Sequence, residues 1–385
     1  MSLSHHSIFP LSEPFQKLHD AAHAFCQKEI APLADRIDRS NVFPRELWPK
    51  LGKQGFLGAT IGKRYGGSEW GYLGQALIVE AISRASGSIG LAYGAHANLC
   101  ANQIFRFGNE VQKQKFLPKL NSGEFLGGLA MSEKNAGSDV LSMLLHAEEK
   151  SDHFILNGHK TWITNGSDAD VIVVYAKTNP DAGAHGMSCF IIEKAFSGFH
   201  ASKTLDKLGM RGCDTAVLTF ENCIVPKENL LGKLNDGLGI LMSGLDYERG
   251  VLAAGPVGLM QACLDIMIPY VKERKQFGKP IGTFELIQEK IANSFSQYQS
   301  SQNYLYAVAS RCDQGIVKPA EAAGVYLLAA ESATRIALDT IQCLGGVGYL
   351  NDSAAGRLLR DAKLYEIGAG TTEIRRIVIG RELIK

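Results

Sequence analysis

The segment His153–Gly166 reads HFILNGHKTWITNG, and its apolar and polar side chains alternate. A period of two is typical of a β-strand with one face on a core, and Asn157-Gly158 is a pair typical of a two-residue hairpin turn. The alternation continues in ADVIVVYAKT, MSCFIIEK and TAVLTFENCIVP, which begin at positions 169, 187 and 215. We therefore predict a compact antiparallel sheet unit between about Leu126 and Leu234.

Helical patterns lie on both sides of this sheet unit. From about Phe15 to Phe125 apolar residues recur three and four positions apart, as in GYLGQALIVEAISRAS, and the same spacing returns from Gly237 to the end. Because helices and strands are segregated along the chain, the pattern favours an α+β fold over an alternating βαβ fold. We predict an N-terminal helical domain (1–125), a middle β domain (126–236) and a C-terminal helical domain (237–385).

The composition excludes several classes of protein. The 385 residues carry 40 Lys plus Arg and 39 Asp plus Glu, and the resulting net charge of +1 lacks the positive field that nucleic-acid binders use. A chain with 45% hydrophobic and 21% charged residues is not disordered. The longest uncharged stretch, Ala85 to Phe105, contains too many polar side chains for a membrane helix, so we predict no transmembrane segment.

Targeting and redox signals are weak. The opening MSLSHHSIFPLSEP shows neither a secretory signal nor a transit peptide, so we expect a cytoplasmic protein, or a mitochondrial matrix protein whose presequence was removed. Eight scattered cysteines form no CxxC pair, and we interpret them as reduced and mostly buried.

Several common motifs are absent from the sequence. No strand leads into GxGxxG, and neither GxxxxGK[ST] nor GxSxG occurs, which leaves Rossmann, P-loop and α/β-hydrolase readings without a motif. His19 and His23 have the spacing that lets two imidazoles share a zinc ion, but Asp20 replaces the glutamate of HExxH. We interpret them as a surface pair and predict no metal site.

Three glycine-rich strings expose backbone: NAGSD at 135–139, QCLGGVGY at 342–349 and GAGTTE at 368–373. Glycine clustered with Ser or Thr lets N–H groups approach phosphate or ribityl oxygens, and Thr371 with Thr372 could open a helix toward an anion. Each string alone is equally compatible with a plain turn or helix cap.

Glu248, in DYERGVLAAG, is the candidate base. On a helix, its neighbours three and four positions away are glycine, leucine and valine. A carboxylate on such a face loses water, which raises its pKa and suits it to accept a proton near neutral pH. The alternatives are that Glu248 bends outward or pairs with Arg249, and Asp246 with Arg249 has the spacing of a surface ion pair.

Six strings in order resemble the acyl-CoA dehydrogenase family, and within it the branch that oxidises isovaleryl-CoA. The resemblance covers nearly the whole chain, from about Phe15 to Arg381. The strings are LAMSEKNAGSD (129–139), GHKTWITNG (158–166), LDKLGMRG (205–212), ERKQFGKPI (273–281), IQCLGGVGYLND (341–352) and RDAKLYEIGAGTTEIRR (360–376).

The resemblance implies an N-terminal helical domain, a middle antiparallel β-barrel domain and a C-terminal four-helix bundle, in agreement with the α, β, α order. It also implies an acyl-CoA substrate, noncovalent FAD between the middle and C-terminal domains, a homotetramer, and electron-transfer flavoprotein as electron acceptor. No nucleic acid and no membrane enter this picture.

The resemblance assigns cofactor-binding residues by matching positions. Trp162 would cover the flavin ring, which would also be lined by Leu129, Met131, Ser132, Ser138, Ile163 and Thr164. The pyrophosphate and adenosine of a neighbouring subunit's FAD would meet Arg274, Gln342, Gly345 and Gly346. The dinucleotide of the same subunit would meet Thr371, Thr372 and Glu373. These residue types suit the task, since a guanidinium and exposed amides bind phosphates and an indole covers a flat ring.

The family removes the α-proton of a thioester with a carboxylate while the β-hydrogen leaves as hydride to the flavin. Most relatives carry that carboxylate just before the final Gly-Thr, which is the position of Ala369 here, and Glu366 lies three residues too early. The isovaleryl branch carries its base on an earlier helix, in a string resembling SGLDYERGVL, where this chain has Glu248. The resemblance therefore assigns the base to Glu248, and the N–H that meets the developing enolate oxygen to Ala369.

The resemblance also assigns substrate residues. Gly368 stands where straight-chain enzymes have a bulky tyrosine, which opens space for a branch at the acyl C3. The acyl pocket would be completed by Leu99, Leu252, Ala369 and Gly370, although both leucines are equally compatible with ordinary core positions. The CoA portion would meet Ser138, Asp246 and Arg249.

Three positions depart from the family pattern. Glu285 replaces a common Gln near the adenosine and puts an anion close to the FAD phosphates, Gly239 replaces a larger residue, and Ala184-His185 replaces a Ser-Arg pair in a loop near CoA. We expect these departures to affect CoA affinity and acyl choice more than reaction type. We predict oxidation of isovaleryl-CoA to 3-methylcrotonyl-CoA in leucine catabolism. The alternatives are another short or branched acyl-CoA, an oxidase that uses oxygen, and a family flavoprotein that binds nucleic acid. The net charge of +1 argues against the last.

Overall fold

The computed structural model describes residues 8–385, so the first seven residues of the opening segment lie outside the described residues. As the spacing predicts, the chain is helical before the sheet, and a π-helical turn, Ala95–Ala101, interrupts these helices. In the described part they are α1 (Glu13–Glu29), α2 (Ala34–Ser40), α3 (Leu47–Lys53), α4 (Gly71–Ala85), α5 (Gly87–Gly94), α6 (Asn102–Phe107) and α7 (Glu110–Ser122).

One sheet follows, and its strands are β1 (Gly127–Ala130), β2 (His146–Glu149), β3 (His153–Thr164), β4 (Val171–Lys177), β5 (Met187–Glu193), β6 (Phe199–Ala201), β7 (Thr215–Pro226) and β8 (Leu230–Leu231). They lie in the order β6-β7-β3-β2-β4-β5-β8, with β1 beside β4. Every residue of β4 is buried, because one face packs against the helices and the other on the inner strands. Successive side chains of β4 therefore point alternately into two different cores.

The predicted hairpin turn at Asn157-Gly158 is wrong, because both residues lie inside β3. Leu156 pairs with Cys223 and Gly158 pairs with Phe220, so one residue of β3 faces two residues of β7 between these pairs. The Asn157 side chain accepts a hydrogen bond from the Asn222 N–H at 2.8 Å, so the irregularity is locally satisfied. The pair therefore lies opposite a β-bulge in β7 and forms no turn, because β3 continues through it and pairs with the distant strand β7.

The predicted antiparallel β-barrel is not confirmed. Among the described strands, the hydrogen-bonded path ends at β6 and β8 and does not close. β1 pairs with β4 in parallel, and β2 meets β4 in parallel at His146 and Lys177. Parallel neighbours need long crossovers, which alternation within single strands does not reveal.

The chain after the sheet is again helical apart from a short hairpin, β9 (Lys275–Gln276) with β10 (Lys279–Pro280). Its helices are α8 (Gly237–Leu252), α9 (Ala254–Glu273), α10 (Glu285–Asp313), α11 (Pro319–Leu344), α12 (Ala354–Tyr365) and α13 (Thr372–Leu383). The run Gly237–Glu273 is long and apolar enough to cross a membrane, but 83% of its most apolar window is buried inside the protein, as in a core helix.

Buried polar and sulfur-containing side chains complete the core. All eight cysteines are free and buried, as predicted. The predicted surface position of His19 is wrong. Its side chain is buried, and its Nδ1 atom lies 3.1 Å from Asp20 Oδ1. Within residues 8–385, no group of three or more His, Cys, Asp and Glu side chains could hold a metal ion.

Candidate active site

A small cleft lies between the N-terminal helices and α8. Two polar side chains, Glu248 and Asn98, reach its lining, and its other walls are Val79, Gly94, Leu99, Val251 and Leu252. The structure therefore brings together the candidate base and both leucines that the sequence placed in the acyl pocket.

Glu248 is 5% exposed, and its Oε2 atom has no hydrogen-bond partner among residues 8–385. Burial raises the pKa of Glu248 to about 7, although the charges of Arg249 and Arg375 act to lower it. Near neutral pH both the protonated form and the carboxylate form, which can accept a proton, are therefore present. The alternative in which Glu248 bends into solvent is wrong.

Asp246 and Arg249 lie on the same helix, with Arg249 Nη1 3.5 Å from Asp246 Oδ1. The ion pair considered from the sequence is therefore present, but it is not on the surface, since Arg249 is buried and Asp246 half-buried. Burial raises the pKa of Asp246, against the charge of Arg249.

The π-helical turn Ala95–Ala101 carries Asn98 and Leu99 to the cleft. The Oδ1 atom of Asn98 is buried without a hydrogen-bond partner in the described chain. A π-turn adds one residue to a helical turn, and such insertions are frequent at functional sites. The π-turn therefore lies at the cleft and places Asn98 and Leu99 in its wall.

The turn between α12 and α13 is held by arginine side chains. Arg249 Nε donates to the Ala369 carbonyl at 3.3 Å, and Ala369 adopts a φ of +55°, which is unusual for a residue with a side chain. In the described chain the Ala369 N–H donates no backbone hydrogen bond. A Cβ added at Gly368 would make only ordinary contacts, the nearest 3.6 Å from the Leu364 carbonyl oxygen.

The ends of β1 and β3 form a second group of predicted residues. The Thr161 N–H donates to the Ser132 carbonyl at 2.9 Å, and the buried Lys160 ammonium donates to the Met131 carbonyl at 2.9 Å. Trp162 sits at a register shift with a φ of +61° and is 53% exposed. Around it, Ile163 and Leu129 are buried and Thr164 is half-buried.

Most of the other predicted residues are exposed. No side-chain hydrogen bond in the described chain links either group to Arg274, Gln342, Gly345, Gly346 or Ser138, all of which are exposed. Thr371 caps α13 by accepting from the Ile374 N–H at 3.4 Å, Thr372 is buried, and Glu373 is exposed in the first turn.

The three departures from the family lie on the protein surface or next to open space. Glu285 is the exposed first residue of α10, and Ala184-His185 belongs to the turn Pro180–Gly186 between β4 and β5. A Cβ added at Gly239 would meet only the Asp236 carboxylate, at 3.2 Å. None of them lines the cleft.

Family models match the chain in three consecutive pieces. The N-terminal, middle and C-terminal domains of acyl-CoA dehydrogenase match residues 12–124, 128–223 and 235–384. The chain belongs to the acyl-CoA dehydrogenase family. Its order of helical, sheet and helical domains is the order of these three models.

Individual relatives of this acyl-CoA dehydrogenase are highly similar. A mitochondrial isovaleryl-CoA dehydrogenase of Solanum tuberosum is 56% identical over 96% of this chain and 90% of its own length. A mitochondrial 2-methylacyl-CoA dehydrogenase of the same plant is 55% identical over 97% of this chain and 92% of its own. The solved FAD complex of PigA superposes with a TM-score of 0.93, at 32% identity, over 97% of this chain and 98% of that one.

The described residues of this acyl-CoA dehydrogenase suit a flavin dinucleotide. The half-exposed Trp162 offers an indole face at a strand end, beside the half-buried Met131 and Ser132. A Cβ added at Gly345 or Gly346 would have no atom within 4 Å, so bare backbone faces open space there. A flat ring and a pyrophosphate require such surfaces.

Sequence reasoning missed several residues of the acyl-CoA dehydrogenase site. Asn98 carried no signal, because its position at the cleft depends on a π-turn that the helical spacing does not reveal. Lys160 and Arg375 are fully buried. From the sequence alone, a lysine in a strand and an arginine next to another arginine are both expected to be solvated. Lys160 breaks the polar-out alternation of β3, and this was the one available hint.

Proposed function

We propose that this protein is an FAD-dependent dehydrogenase of short branched acyl-CoA thioesters, which oxidises isovaleryl-CoA to 3-methylcrotonyl-CoA and passes the electrons to electron-transfer flavoprotein. The observation that carries the proposal is a buried carboxylate, Glu248, that lines an apolar cleft. Glu248 lies on α8, and the next residue on this helix, Arg249, donates a hydrogen bond to the Ala369 carbonyl. The similarity to isovaleryl-CoA dehydrogenases supports the choice of substrate.

In the proposed reaction, Glu248 removes the α-proton of the thioester. Its pKa of about 7 suits this role, because the carboxylate is present at neutral pH and still basic enough to hold the proton. Bound FAD would accept the β-hydrogen as a hydride. The free N–H of Ala369 would donate to the thioester oxygen, on which negative charge develops when the proton leaves.

The chain's own residues would hold the cofactor and the CoA portion. Met131, Ser132 and Trp162 would lie against the flavin ring, while Arg274 with the Gln342–Gly346 segment would bind the dinucleotide of a neighbouring subunit. Asp246, Arg249 and Ser138 would meet the CoA chain. The first turn of α13 supports dinucleotide binding, because helix N-termini favour anionic oxygens.

The acyl pocket favours a short, branched chain. Leu99, Leu252 and Val251 give the cleft an apolar wall, and Gly368 leaves room at the turn. Acyl groups branched at C2 are the alternative, supported by the similarity to a 2-methylacyl-CoA dehydrogenase. The two substrate classes place their methyl branch on adjacent carbons, so one pocket could discriminate between them only modestly.

We also propose the domain limits 1–125, 126–236 and 237–385. The family-model ranges 12–124, 128–223 and 235–384 support the same three-part division, although the first starts after residue 1 and the second ends before residue 236. In the C-terminal domain, α9, α10, α11 and α12 would form the four-helix bundle. We infer a homotetramer and a reducing compartment, either the cytoplasm or the mitochondrial matrix. Eight free buried cysteines support the latter inference.

The decisive experiment is anaerobic addition of isovaleryl-CoA to the purified protein while the visible flavin absorbance is followed. Butyryl-CoA and 2-methylbutyryl-CoA are run in parallel, and the Glu248→Gln protein is the control. Rapid bleaching by isovaleryl-CoA is expected. Bleaching only by another acyl-CoA would replace the substrate, and a yellow protein that no acyl-CoA bleaches would contradict the enzymatic function.

A further inference from the structure

Arg375, in the first half of α13, is a fully buried cation that the proposed reaction does not yet use. Its Nη2 atom donates to two backbone carbonyls, those of Tyr365 and Gly368, each at 2.6 Å. Its guanidinium carbon lies 3.7 Å from the centre of the Tyr326 ring. A planar guanidinium pinned on one face by an aromatic ring and on one edge by two carbonyls has little freedom to move.

These contacts hold the turn that carries Ala369. The carbonyls of Tyr365 and Gly368 bind Arg375, and the carbonyl of Ala369 binds Arg249. Ala369 has a φ of +55°, a conformation that a residue with a side chain keeps only where neighbouring groups enforce it, whereas Gly370 adopts its φ of +89° without strain. The direction of the Ala369 N–H therefore depends on the two arginines.

The charge of Arg375 also acts on Glu248. Across the elements packed around this carboxylate, the groups that interact with it electrostatically are Arg249 on its own helix, Arg375 on α13, Tyr326 on α11 and Tyr175 on β4. Burial raises the pKa of both tyrosines, so they are neutral at physiological pH. The two arginines are thus the charged groups that oppose the effect of burial on Glu248.

Arg375 keeps unused hydrogen-bonding capacity in this region. Its Nε and Nη1 atoms are buried and have no hydrogen-bond partner within residues 8–385, and the same holds for Glu248 Oε2. Buried unpaired groups of a charged side chain are costly, so a purely structural clamp would be better served by a neutral amide. A cation is retained here at that cost, which points to a use for its charge.

We propose that Arg375 is a positioning residue of the active site: it holds the Gly368–Gly370 turn so that the Ala369 N–H meets the thioester oxygen, and its charge keeps Glu248 available as the base. This inference rests on the proposed function. The two roles are separable, because the first needs the planar fork of donors and the second needs only the positive charge.

The test compares Arg375→Lys, which keeps the charge and loses the fork, with Arg375→Met, which loses both. In the holoenzyme, the infrared band of the protonated Glu248 carboxyl is titrated with pH and assigned by its loss in Glu248→Gln. Arg375→Met is expected to raise the midpoint by about one unit, because removal of a nearby cation disfavours the carboxylate. Arg375→Lys is expected to leave it within about half a unit.

Flavin reduction by isovaleryl-CoA gives the second readout. At saturating substrate, Arg375→Lys is expected to slow reduction by about tenfold to a hundredfold with an unmoved pH midpoint, as a displaced donor would cause. In Arg375→Met the pH midpoint of reduction is expected to move upward with the infrared midpoint. Arg376→Met is the matched control, because this neighbouring side chain is exposed and paired with Glu331.

The infrared titration needs no turnover, so it stands even if no acyl-CoA reduces the flavin and the proposed function fails. An unmoved midpoint in Arg375→Met would overturn the electrostatic role, and wild-type reduction rates in Arg375→Lys would overturn the clamp. If Arg375→Met does not fold, Arg375→Gln supplies the neutral variant. A shift of equal size in Arg376→Met would show that the effect is not specific to Arg375 and would also overturn the proposal.

Discussion

At the scale of single residues, the candidate base owes its character to opposing effects on one carboxyl group. Burial in the apolar cleft raises the pKa of Glu248, and two buried arginines limit the rise, so that the value of about 7 lies near physiological pH. Either effect alone would give a poorer base: an unopposed burial would keep the group protonated, and unopposed cations would make it too weak a base.

Replacement of Glu248 by Gln should nearly abolish flavin reduction while FAD stays bound. The amide has the size of the carboxyl group but cannot accept the α-proton, so we expect a loss of at least about a thousandfold in the rate of reduction. Stopped-flow absorbance measures the rate, and the protein's yellow colour reports retained cofactor. Glu366→Gln is the matched control, since Glu366 pairs with Lys363 near the same turn, and turnover retained in Glu248→Gln would refute the assignment.

The rate of flavin reduction should rise with pH and level off above about pH 8. The reacting form is the carboxylate, whose fraction grows as pH passes upward through the Glu248 pKa of about 7. Binding of the thioester expels further water and should move the midpoint upward rather than downward. A single-turnover rate that is flat between pH 5.5 and pH 8.5, a range of about 1.5 units around that pKa, would contradict this prediction.

At the scale of secondary-structure elements, two irregular segments shape the site. β3 is interrupted by a register shift between Lys160 and Ile163, which exposes Trp162 at the strand end. The turn after α12 is held in positive φ at Ala369. Both irregularities interrupt otherwise regular elements, which is common where a side chain or an N–H must be directed at a ligand.

The turn after α12 should control the choice of acyl chain. In Gly368→Tyr, the added ring would occupy the space proposed for the C3 branch, so the ratio of isovaleryl-CoA to butyryl-CoA activity should fall by about tenfold or more. The position tolerates a Cβ, which makes ordinary contacts. Gly368→Ala is the graded control and should shift the ratio less, and an unchanged ratio in the tyrosine variant would discard this pocket.

The ends of β1 and β3 should depend on a buried ion pair. Lys160 Nζ lies 2.9 Å from Glu133 Oε1, and burial lowers the pKa of Lys160 to about 8 although Glu133 acts to raise it. Lys160→Met leaves the Glu133 charge buried without this partner, and we expect a loss of about 3–5 kcal/mol in the free energy of unfolding.

The double variant Lys160→Met with Glu133→Gln is the control for the ion pair. It removes both charges and should recover much of the lost stability, as measured by thermal or denaturant unfolding of the apoprotein. FAD content should also fall in Lys160→Met, because the Met131 carbonyl loses its donor. A double variant as unstable as the single one would show that the pair does not act as a unit.

At the scale of the whole molecule, the C-terminal domain exposes large apolar side chains. They include Phe277, Leu286, Tyr349 and Ile384, each at least 79% exposed in the single chain. Phe277 lies in the β9–β10 hairpin that follows Arg274, and Tyr349 follows the Gly345-Gly346 pair. Large exposed apolar groups beside residues proposed to bind FAD are consistent with subunits that share the cofactor.

Phe277→Asp should therefore lower the oligomeric mass and the FAD content together, because a charge at a subunit interface would be desolvated. Light scattering after gel filtration measures the mass, and the ratio of visible to ultraviolet absorbance measures bound flavin. Val111→Asp is the control, an equally drastic change at an exposed position on α7 that should leave both unchanged. An intact oligomer with full flavin in Phe277→Asp would count against a shared site.

The sequence by itself determined the α, β, α order, the family and the location of the candidate base, because helical spacing and short ordered strings are local properties that need no partner. Only the tertiary structure decided that Asn157-Gly158 lies opposite a bulge in β7, that the path of the described strands stays open, that Asn98 lines the cleft, and that Arg375 binds the Gly368 carbonyl. These features depend on contacts between segments far apart in the chain. The sequence of a strand does not show which distant strand will pair with it. The sequence of two adjacent arginines likewise does not show which of them the folded protein will bury.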